Sequence, residues 1–340
     1  MKTLQIKDAR ALYADSEGVW LARGMKYWKA SYDGRPIGEK FSVGGVKDKV
    51  LSLHRLSRQL LRVGIHHILP LKNGNVLVST KKRTYIVDAT GQVINRFEGF
   101  RGNKPAQFGI CEDDEGNIFF GEYTINLAND HPTSLYRSTD GGKTFTEIYR
   151  FDSKEVRHIH FVQWDKYAKC LWMGTGDKDF ECLLMRSLDH GETWERVGGG
   201  TQQWRAIGVV FTEEYIYWGT DAGSVPDQNY IVRMKRADNT LEIISKLDGP
   251  CHGIAANNKG EVYICAGVEG GENETDRYAR LYRFKAGELE ELLKMKKDGF
   301  PMILQYGVIH FPHGLENGNK VVFTGFGLVG GGEKTFVIKE

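Results

Sequence analysis

Basic side chains recur at matching positions of seven short apolar segments in this 340-residue sequence. Each segment contains an Ile or Leu, and the residue two places before it is, in chain order, Arg10, His66, Phe108, Arg157, Arg205, His252 and Gly307. Five of these seven are Arg or His, with no matched acid at that position, so they would repel one another unless an anion lies among them. The pattern predicts a site for a carboxylate, sulfate or phosphate. The fork-shaped guanidinium groups of Arg157 and Arg205 suit a carboxylate best.

Polar residues near these segments complete the predicted site. The predicted substrate-binding residues are Arg10, His66, Arg157, Trp204, Arg205, Asn126, Asp177 and Asp221. The predicted catalytic residues, which would move protons, are His158, His252, Tyr123, Tyr306 and Glu122. Which histidine would be the base stays open, because protonation depends on neighbours in space.

A His-x-His pair raises the alternative of a metal site. His158 and His160 lie two apart, which puts both rings on one face of a strand. A third ligand would come from elsewhere, such as His310 or Asp177, and the ion would be a divalent cation, Ca²⁺, Mn²⁺ or Zn²⁺. An isolated His-x-His motif more often binds no metal, so the sequence requires no cofactor.

The elements that must position these residues repeat seven times. A turn is followed by an aromatic or apolar strand and then a small residue, in GVWLARG, NVLVSTK, NIFFGEY, CLWMGTGD, YIYWGTD, EVYICAG and KVVFTGFG. Their spacing of about 42 to 59 residues fits four-stranded propeller blades. We therefore predict a single all-β domain over residues 1–340, a seven-bladed β-propeller. The predicted blades span roughly 9–45, 64–99, 106–152, 156–200, 204–248, 251–295 and 305–340, with residues 2–8 closing the last one.

Composition excludes several classes of protein. The formal charge of +2 gives no global field for nucleic acid or a membrane surface, and no run of about 18 apolar residues occurs. Five cysteines form no CxxC pair and are predicted to be buried free thiols. Residues 49–63 show a helix-like pattern and are predicted to link the first two blades. No signal peptide is visible, which favours the cytoplasm, although a mature secreted form would look the same.

Two segments resemble the Asp-box, or BNR repeat, of sialidase-like β-propellers. SLYRSTDGGKTFTEIYRF and LMRSLDHGETWERV both match S-x-D-x-G-x-x-(F/W), with Asp140 and Asp189 as the central acids. The resemblance implies a turn between the third and fourth strands of a blade and a structural role for both aspartates. Sialidases have six blades and an early Arg-Ile-Pro motif, which is absent here, so sialidase activity is disfavoured.

The overall layout also resembles that of seven-bladed propeller polysaccharide lyases, without a residue-by-residue motif match. This resemblance implies an anionic, uronate-containing oligosaccharide or polysaccharide as the partner and cleavage by β-elimination. A glycoside hydrolase of sialidase-like type is the alternative enzyme, and a propeller that binds a glycan or protein without catalysis is the alternative to an enzyme. The sequence does not indicate an oligomeric state.

Overall fold

The computed structural model describes residues 2–102, 104–223, 228–271, 274, 276–314 and 320–339. These residues form seven four-stranded antiparallel sheets, which are the blades of a ring. The fold is the seven-bladed β-propeller that the sequence predicts. The chain divides into two compact units, one of residues 1–68, 78–81 and 248–340 and the other of residues 69–77 and 82–247.

The strands follow one another in chain order. The N-terminal part contains β1 (Lys2–Ile6), β2 (Arg10–Ala14), β3 (Val19–Arg23), β4 (Lys26–Ala30), β5 (Pro36–Ser42), β6 (Ile65–Pro70), β7 (Val76–Thr80), β8 (Arg83–Val87) and β9 (Val93–Phe97). The middle contains β10 (Ile110–Glu112), β11 (Ile118–Gly121), β12 (Thr133–Ser138), β13 (Thr146–Phe151), β14 (His158–Asp165), β15 (Cys170–Gly176), β16 (Leu183–Ser187) and β17 (Glu195–Gly199). The C-terminal part contains β18 (Val210–Phe211), β19 (Tyr215–Gly219), β20 (Tyr230–Lys235), β21 (Leu241–Lys246), β22 (Cys251–Ala256), β23 (Val262–Ala266), β24 (Tyr278–Lys285), β25 (Glu288–Lys296), β26 (Val308–His310), β27 (Lys320–Phe326) and β28 (Lys334–Lys339).

Two short helices lie between β5 and β6. They are α1 (Val46–Leu51) and α2 (Arg55–Leu61), and they overlap the segment whose spacing predicts a helix between the first two blades. No helix among the described residues is long and apolar enough to cross a membrane. All five cysteines are free thiols, four of them buried, as their apolar surroundings predict.

Burial explains why the second strand of each blade is so apolar. Every residue of β11, β15 and β23 is buried, whereas the fourth strands β13 and β21 consist mainly of exposed or half-buried residues. A strand covered on both faces needs a nearly continuous apolar run, and a strand at the outer edge tolerates polar residues. This gradient produces the repeat that the sequence shows.

The last blade is closed by the N-terminal strand. β1 pairs antiparallel with β28, from Lys2 opposite Lys339 to Ile6 opposite Thr335, so the last sheet has the order β1-β28-β27-β26. Leu4 and Ile6 pack against the core cluster that contains Phe336 and Val337. The predicted closure is confirmed, and β1 covers an edge that would otherwise be open to other chains.

The two segments with the S-x-D-x-G-x-x-(F/W) pattern form matching turns, one between β12 and β13 and the other between β16 and β17. In the first, Ser138 Oγ donates to Asp140 Oδ1 over 2.8 Å, and the Thr144 N–H donates to the same oxygen over 2.9 Å. Gly142 has φ of 87°, which favours glycine. Although burial alone would raise it, the hydrogen bonds from Thr144 and Ser138 lower the pKa of Asp140 to about 2. These contacts give the aspartate the structural role that the resemblance implies.

The same bonds recur in the second turn. Ser187 Oγ donates to Asp189 Oδ1 over 2.8 Å, the Gly191 N–H donates to Ser187 Oγ over 2.8 Å, and the Thr193 N–H donates to Asp189 Oδ1 over 2.9 Å. Two turns with one bonding pattern in neighbouring blades indicate a shared structural device.

Candidate functional site

A bulge at the start of β14 brings two histidines together. His158 pairs with Gly176 and Ile159 with Thr175, but Phe161 pairs with Gly174, so His160 is an extra residue without a partner in the ladder. The rings of His158 and His160 lie with their centroids 4.8 Å apart. A side chain at Gly176 would come within 2.7 Å of the His160 ring, so the glycine leaves room for that ring. The GTG sequence of β15 and the bulge together create this arrangement.

Four nitrogen-bearing side chains converge on Asp177, which directly follows β15. Arg157 Nη1 lies 2.9 Å from Asp177 Oδ2, and Arg205 Nη2 lies 3.0 Å from Asp177 Oδ1. Nε2 of His158 and Nε2 of His160 lie 3.3 Å and 3.4 Å from the same Oδ1. We call these five residues the Asp177 cluster. The structure thereby brings together two predicted anion-binding arginines, both histidines of the His-x-His pair and a predicted substrate-binding aspartate.

The Asp177 carboxylate stays ionised. Burial alone would raise its pKa, but the His158 and His160 rings in contact with the carboxylate and the charge of Arg205 lower the pKa well below its ordinary value. Asp177 is therefore unsuited to donate a proton to a leaving group.

The expectation that the basic column lacks matched acids is wrong. Asp177 lies between Arg157 and Arg205, Arg10 pairs with Glu333, and His252 Nε2 lies 2.7 Å from Glu269 Oε1. The acids come from loops and turns that follow other strands, so they do not occupy the aligned position in the sequence. The charge of the basic column is thus compensated within the protein, at least in part.

Nδ1 of each histidine ring contacts a main-chain carbonyl oxygen. Nδ1 of His158 lies 2.9 Å from the Thr124 oxygen, and Nδ1 of His160 lies 3.1 Å from the Ala206 oxygen. The Tyr123 ring stacks on the His158 ring at 4.3 Å between centroids. Burial lowers the pKa of His160, although Asp177 opposes that effect. His160 is therefore a neutral imidazole near neutral pH.

Sequence reasoning did not find two residues that position this cluster. Glu181 is fully buried, and one of its carboxylate oxygens accepts from the Asp177 and Lys178 N–H groups over 2.9 Å and 3.0 Å. Gln202 Nε2 donates to the Asp177 carbonyl over 3.0 Å. An acid five residues after the end of a strand, three and four residues beyond the N–H groups of the turn from which it accepts, is the signal that could have identified Glu181.

Two predicted site residues form hydrogen bonds with the main chain. They are Glu122, predicted as catalytic, and Asn126, predicted as substrate-binding. Glu122 is buried, and its carboxylate accepts from the Arg101 N–H over 2.6 Å and the Ser134 N–H over 2.9 Å. Asn126 is buried and donates to the His131 carbonyl over 3.1 Å. These bonds give both residues a structural role in the described loops.

Trp204 directly precedes Arg205 in the sequence, and Asp221 lies near Arg205 in space. The Trp204 ring stacks on Trp218 with 5.9 Å between centroids, and it lies so close to Gly198 that a side chain there would clash with it. This packing occupies the ring that the sequence offers for stacking on a sugar. Asp221 Oδ2 lies 3.5 Å from Arg205 Nη2, so this predicted substrate-binding acid is a second partner of the arginine.

The remaining predicted residues lie in the other unit. Arg10 contacts Glu333 and lies over the Phe326 ring, and His66 Nε2 lies 3.1 Å from the Arg62 carbonyl. The Tyr306 ring is exposed and lies 6.3 Å from the His252 ring. His310 stacks on Phe326 at 4.9 Å and belongs to no cluster of metal-ligand atoms within the described part of the chain. Of the metal ligands that the sequence proposes for the His-x-His site, His158, His160 and Asp177 lie close enough together to share one ion.

A cavity of about 470 Å³ is lined by residues 101–102, 124–128 and 130–131, and no member of the Asp177 cluster is among them. Thr124, whose carbonyl anchors His158, is in its wall. The other lining residues include the polar Arg101, Asn126, Asp130 and His131 and the exposed apolar Ile125 and Leu127. Mixed polar and apolar walls of this kind suit a small organic ligand such as a sugar.

Comparisons with known proteins establish the fold. No protein-family model matches the chain, and no curated protein matches it. The structure of a catalytically inactive variant of virginiamycin B lyase from Staphylococcus aureus with quinupristin is 14% identical, with a TM-score of 0.64 and coverage of 100% of this chain and 99% of that chain. U3-55K is 10% identical, with a TM-score of 0.60 and coverage of 100% and 98%.

A glycoside hydrolase also shares the architecture. The GH74 enzyme from Niastella koreensis is 11% identical, with a TM-score of 0.53, and the match covers 84% of this chain and 47% of that chain. The neighbours thus include a lyase and a glycoside hydrolase. At such low identity they show a common β-propeller fold, which hosts many activities, so function must be argued from the site.

Proposed function

We propose that this protein is a carbohydrate-active enzyme that cleaves a carboxylate-bearing, uronate-type saccharide by β-elimination at the Asp177 cluster. The observation that carries the proposal is the arrangement of Arg157. Its Nη1 donates to Asp177. Its Nη2 makes no hydrogen bond to the described residues, and it is not one of their buried polar atoms that lack a partner, so it is accessible. The guanidinium group therefore retains an N–H edge that can donate hydrogen bonds to a substrate carboxylate.

Positive charge beside the substrate carboxylate is the central need of this reaction. Removal of the proton next to the carboxylate generates an enolate-like anion, which fixed cationic groups stabilise without reorganisation. Arg157 and Arg205 supply that charge, and Asp177 holds both in place. The saccharide would extend over the cavity beside Thr124.

We assign proton transfer to Tyr123. Its ring stacks on that of His158, the residue that follows Arg157 in the chain, with 4.3 Å between the ring centroids. The proposed base is its phenolate form. The phenolate takes the C5 proton of the uronate, the C–H electrons form the C4–C5 double bond, and the C4–O bond breaks. The leaving oxygen then takes the proton back from the tyrosine hydroxyl. His158 is unsuited as the base because its two ring nitrogens face Thr124 and the other cluster members.

Hydrolysis fits the cluster less well. A glycosidase needs one carboxyl group that carries a proton and a second that is ionised. Asp177 has a strongly lowered pKa, and Glu181 is fully buried and bonded to main-chain N–H groups. Neither acid can act as the proton donor for a sugar oxygen.

The test follows the ultraviolet absorbance of the unsaturated product across a panel of uronate polysaccharides. We expect product from the unmodified chain, and a loss of roughly 100-fold or more in rate for Tyr123→Phe, since a positioned proton-transfer group contributes about that much. Arg157→Lys should also lose activity because the ammonium group lacks the two-pronged geometry.

Arg186→Lys is the matched control, because Arg186 pairs with the exposed Glu195 on the outer strand of the same blade. Activity of Tyr123→Phe equal to that of the unmodified chain would remove Tyr123 from the reaction. Saturable binding of the saccharides without any product would replace the enzyme by a binding propeller.

A further inference from the structure

The main-chain contacts of His158 and His160 fix where their protons lie. A carbonyl oxygen can only accept a hydrogen bond, so Nδ1 of each ring, 2.9 Å from the Thr124 oxygen and 3.1 Å from the Ala206 oxygen, carries a proton. In a neutral imidazole the other nitrogen then has a lone pair. The lone pairs of both Nε2 atoms are therefore directed away from the main chain and toward Asp177.

Three lone-pair atoms meet at one point. The two Nε2 atoms lie 2.9 Å apart, and Asp177 Oδ1 lies 3.3 Å from one and 3.4 Å from the other. Such atoms repel one another unless something positive lies between them. A second proton on one ring can satisfy one of the three contacts, whereas a metal ion satisfies all three at once.

The spacing of the three atoms matches the edges of a coordination shell. Ligands bound to one ion at about 2.0–2.2 Å lie roughly 2.9 Å apart at a right angle and roughly 3.4 Å apart at the tetrahedral angle. The three measured separations lie between these values. Metal-binding histidines also donate their other ring N–H to a carbonyl or carboxylate, which both rings do here.

The charges around the site permit a cation. Arg157 and Arg205 contribute two positive charges, and Asp177, Glu181 and Asp221 contribute three negative ones within 4 Å of those guanidinium groups. The surplus is one negative charge. Asp177 can therefore bind an ion with Oδ1 while the arginines hold the carboxylate in position.

We propose that His158, His160 and Asp177 bind one first-row transition-metal dication of the Zn²⁺ or Mn²⁺ type. Two imidazoles and one carboxylate suit these ions better than Ca²⁺, which prefers six to eight oxygen ligands. Three protein ligands leave a coordination position open for water or a substrate oxygen. This site stands on its own geometry and does not depend on the proposed lyase activity.

Calorimetric titration of the chelator-treated protein with Zn²⁺ alone tests the proposal. We expect one ion per chain, and binding at least roughly tenfold weaker in His158→Gln and in His160→Gln. His190→Gln is the matched control. His190 belongs to a second candidate cluster with Asp113 and Asp114, but its Nδ1 makes an ordinary pair with Asp113 Oδ2 over 2.8 Å, so Zn²⁺ binding should be unchanged.

A spectroscopic measurement on the unmodified chain avoids dependence on folding of the variants. Spin-echo modulation of the Mn²⁺-loaded protein should show coupling to imidazole nitrogen. Absence of a site with a stoichiometry near one, absence of nitrogen coupling, or unchanged affinity in both folded histidine variants would overturn the proposal. Loss of the site in His190→Gln would place it in the other cluster and would overturn it equally.

Discussion

Asp177 is the shared counter-ion of two guanidinium groups, one on each of its carboxylate oxygens. Arg157 Nη1 and Arg205 Nη2 approach different oxygens of its carboxylate at 2.9 Å and 3.0 Å. Both arginine side chains are largely buried. Removing the negative charge would leave the two guanidinium groups with only the more distant carboxylates, Asp221 at 3.5 Å from Arg205 and Glu181 at 3.9 Å from Arg157.

The Asp177→Asn substitution should therefore destabilise the fold. We expect a loss of about 3 kcal/mol in the free energy of unfolding, near the lower end of the range for one broken partner of a buried ion pair. Urea-induced unfolding measures the change. Asp130→Asn, at an exposed carboxylate, should stay within about 0.5 kcal/mol of the unmodified chain. Equal stability of the two variants would contradict the role of Asp177 as the shared counter-ion.

At the scale of secondary-structure elements, the buried acid Glu333 joins a strand to a helix in the unit that contains the chain termini. Its carboxylate accepts from Arg10 on β2 and, over 3.0 Å, from Arg58 on α2. The Arg58 side chain also donates to the Ser52 and Leu53 carbonyls, so it ties the end of α1 to the turn before β28. Glu333 thus connects the helical insertion to the closing blade.

The pKa of Glu333 gives this connection a pH signature. Burial alone would raise the pKa, but the charges of Arg10 and Arg58 lower it below the ordinary value of 4.5. A lowered folded-state pKa means that the ion pairs stabilise the fold fully above pH 4.5 and lose this effect as the pH falls through the folded-state value. Glu333→Gln should cost about 3–5 kcal/mol near neutral pH.

The difference in stability between Glu333→Gln and the unmodified chain should shrink steadily below pH 4.5, since protonation of Glu333 removes from the unmodified chain the charge that the glutamine variant lacks at every pH. Thermal unfolding over a pH series gives the comparison. A difference that stays constant down to acid pH would show that Glu333 acts through packing and not through charge.

The sequence predicts the elements better than it predicts the charge pairing. Strands such as β15 and β23 are readable because burial on both faces demands a continuous apolar run. Asp177 could be placed near the site because it directly follows β15. Glu333 could not be paired with Arg10, because the two are separated by 323 residues and lie together only through closure of the ring. The bulge at His160 could not be predicted from the sequence either, because local sequence does not fix strand register.

The whole molecule depends on β1 for a closed last blade. Leu4 is half-buried and packs on the core beneath β28, whereas Gln5, its neighbour in the same strand, is exposed. Leu4→Lys should lower the free energy of unfolding by about 2 kcal/mol, since it places a charge against apolar side chains. Gln5→Lys should change it by less than about 0.5 kcal/mol.

Calorimetric melting with light scattering measures both effects. Leu4→Lys should also aggregate earlier, because a loosened β1 exposes the edge of β28 to other chains. Identical melting and scattering of the two variants would show that β1 contributes little to closure.

Mass spectrometry of saccharide fragments tests the central claim most directly. The purified chain is incubated with a uronate polysaccharide, and Tyr123→Phe serves as the parallel sample. We expect fragments that carry an unsaturated end and are lighter by one water than hydrolysis products, and a large reduction in their amount for Tyr123→Phe. Fragments that contain the added water, or equal amounts of unsaturated fragments in both samples, would contradict β-elimination by the Asp177 cluster and Tyr123.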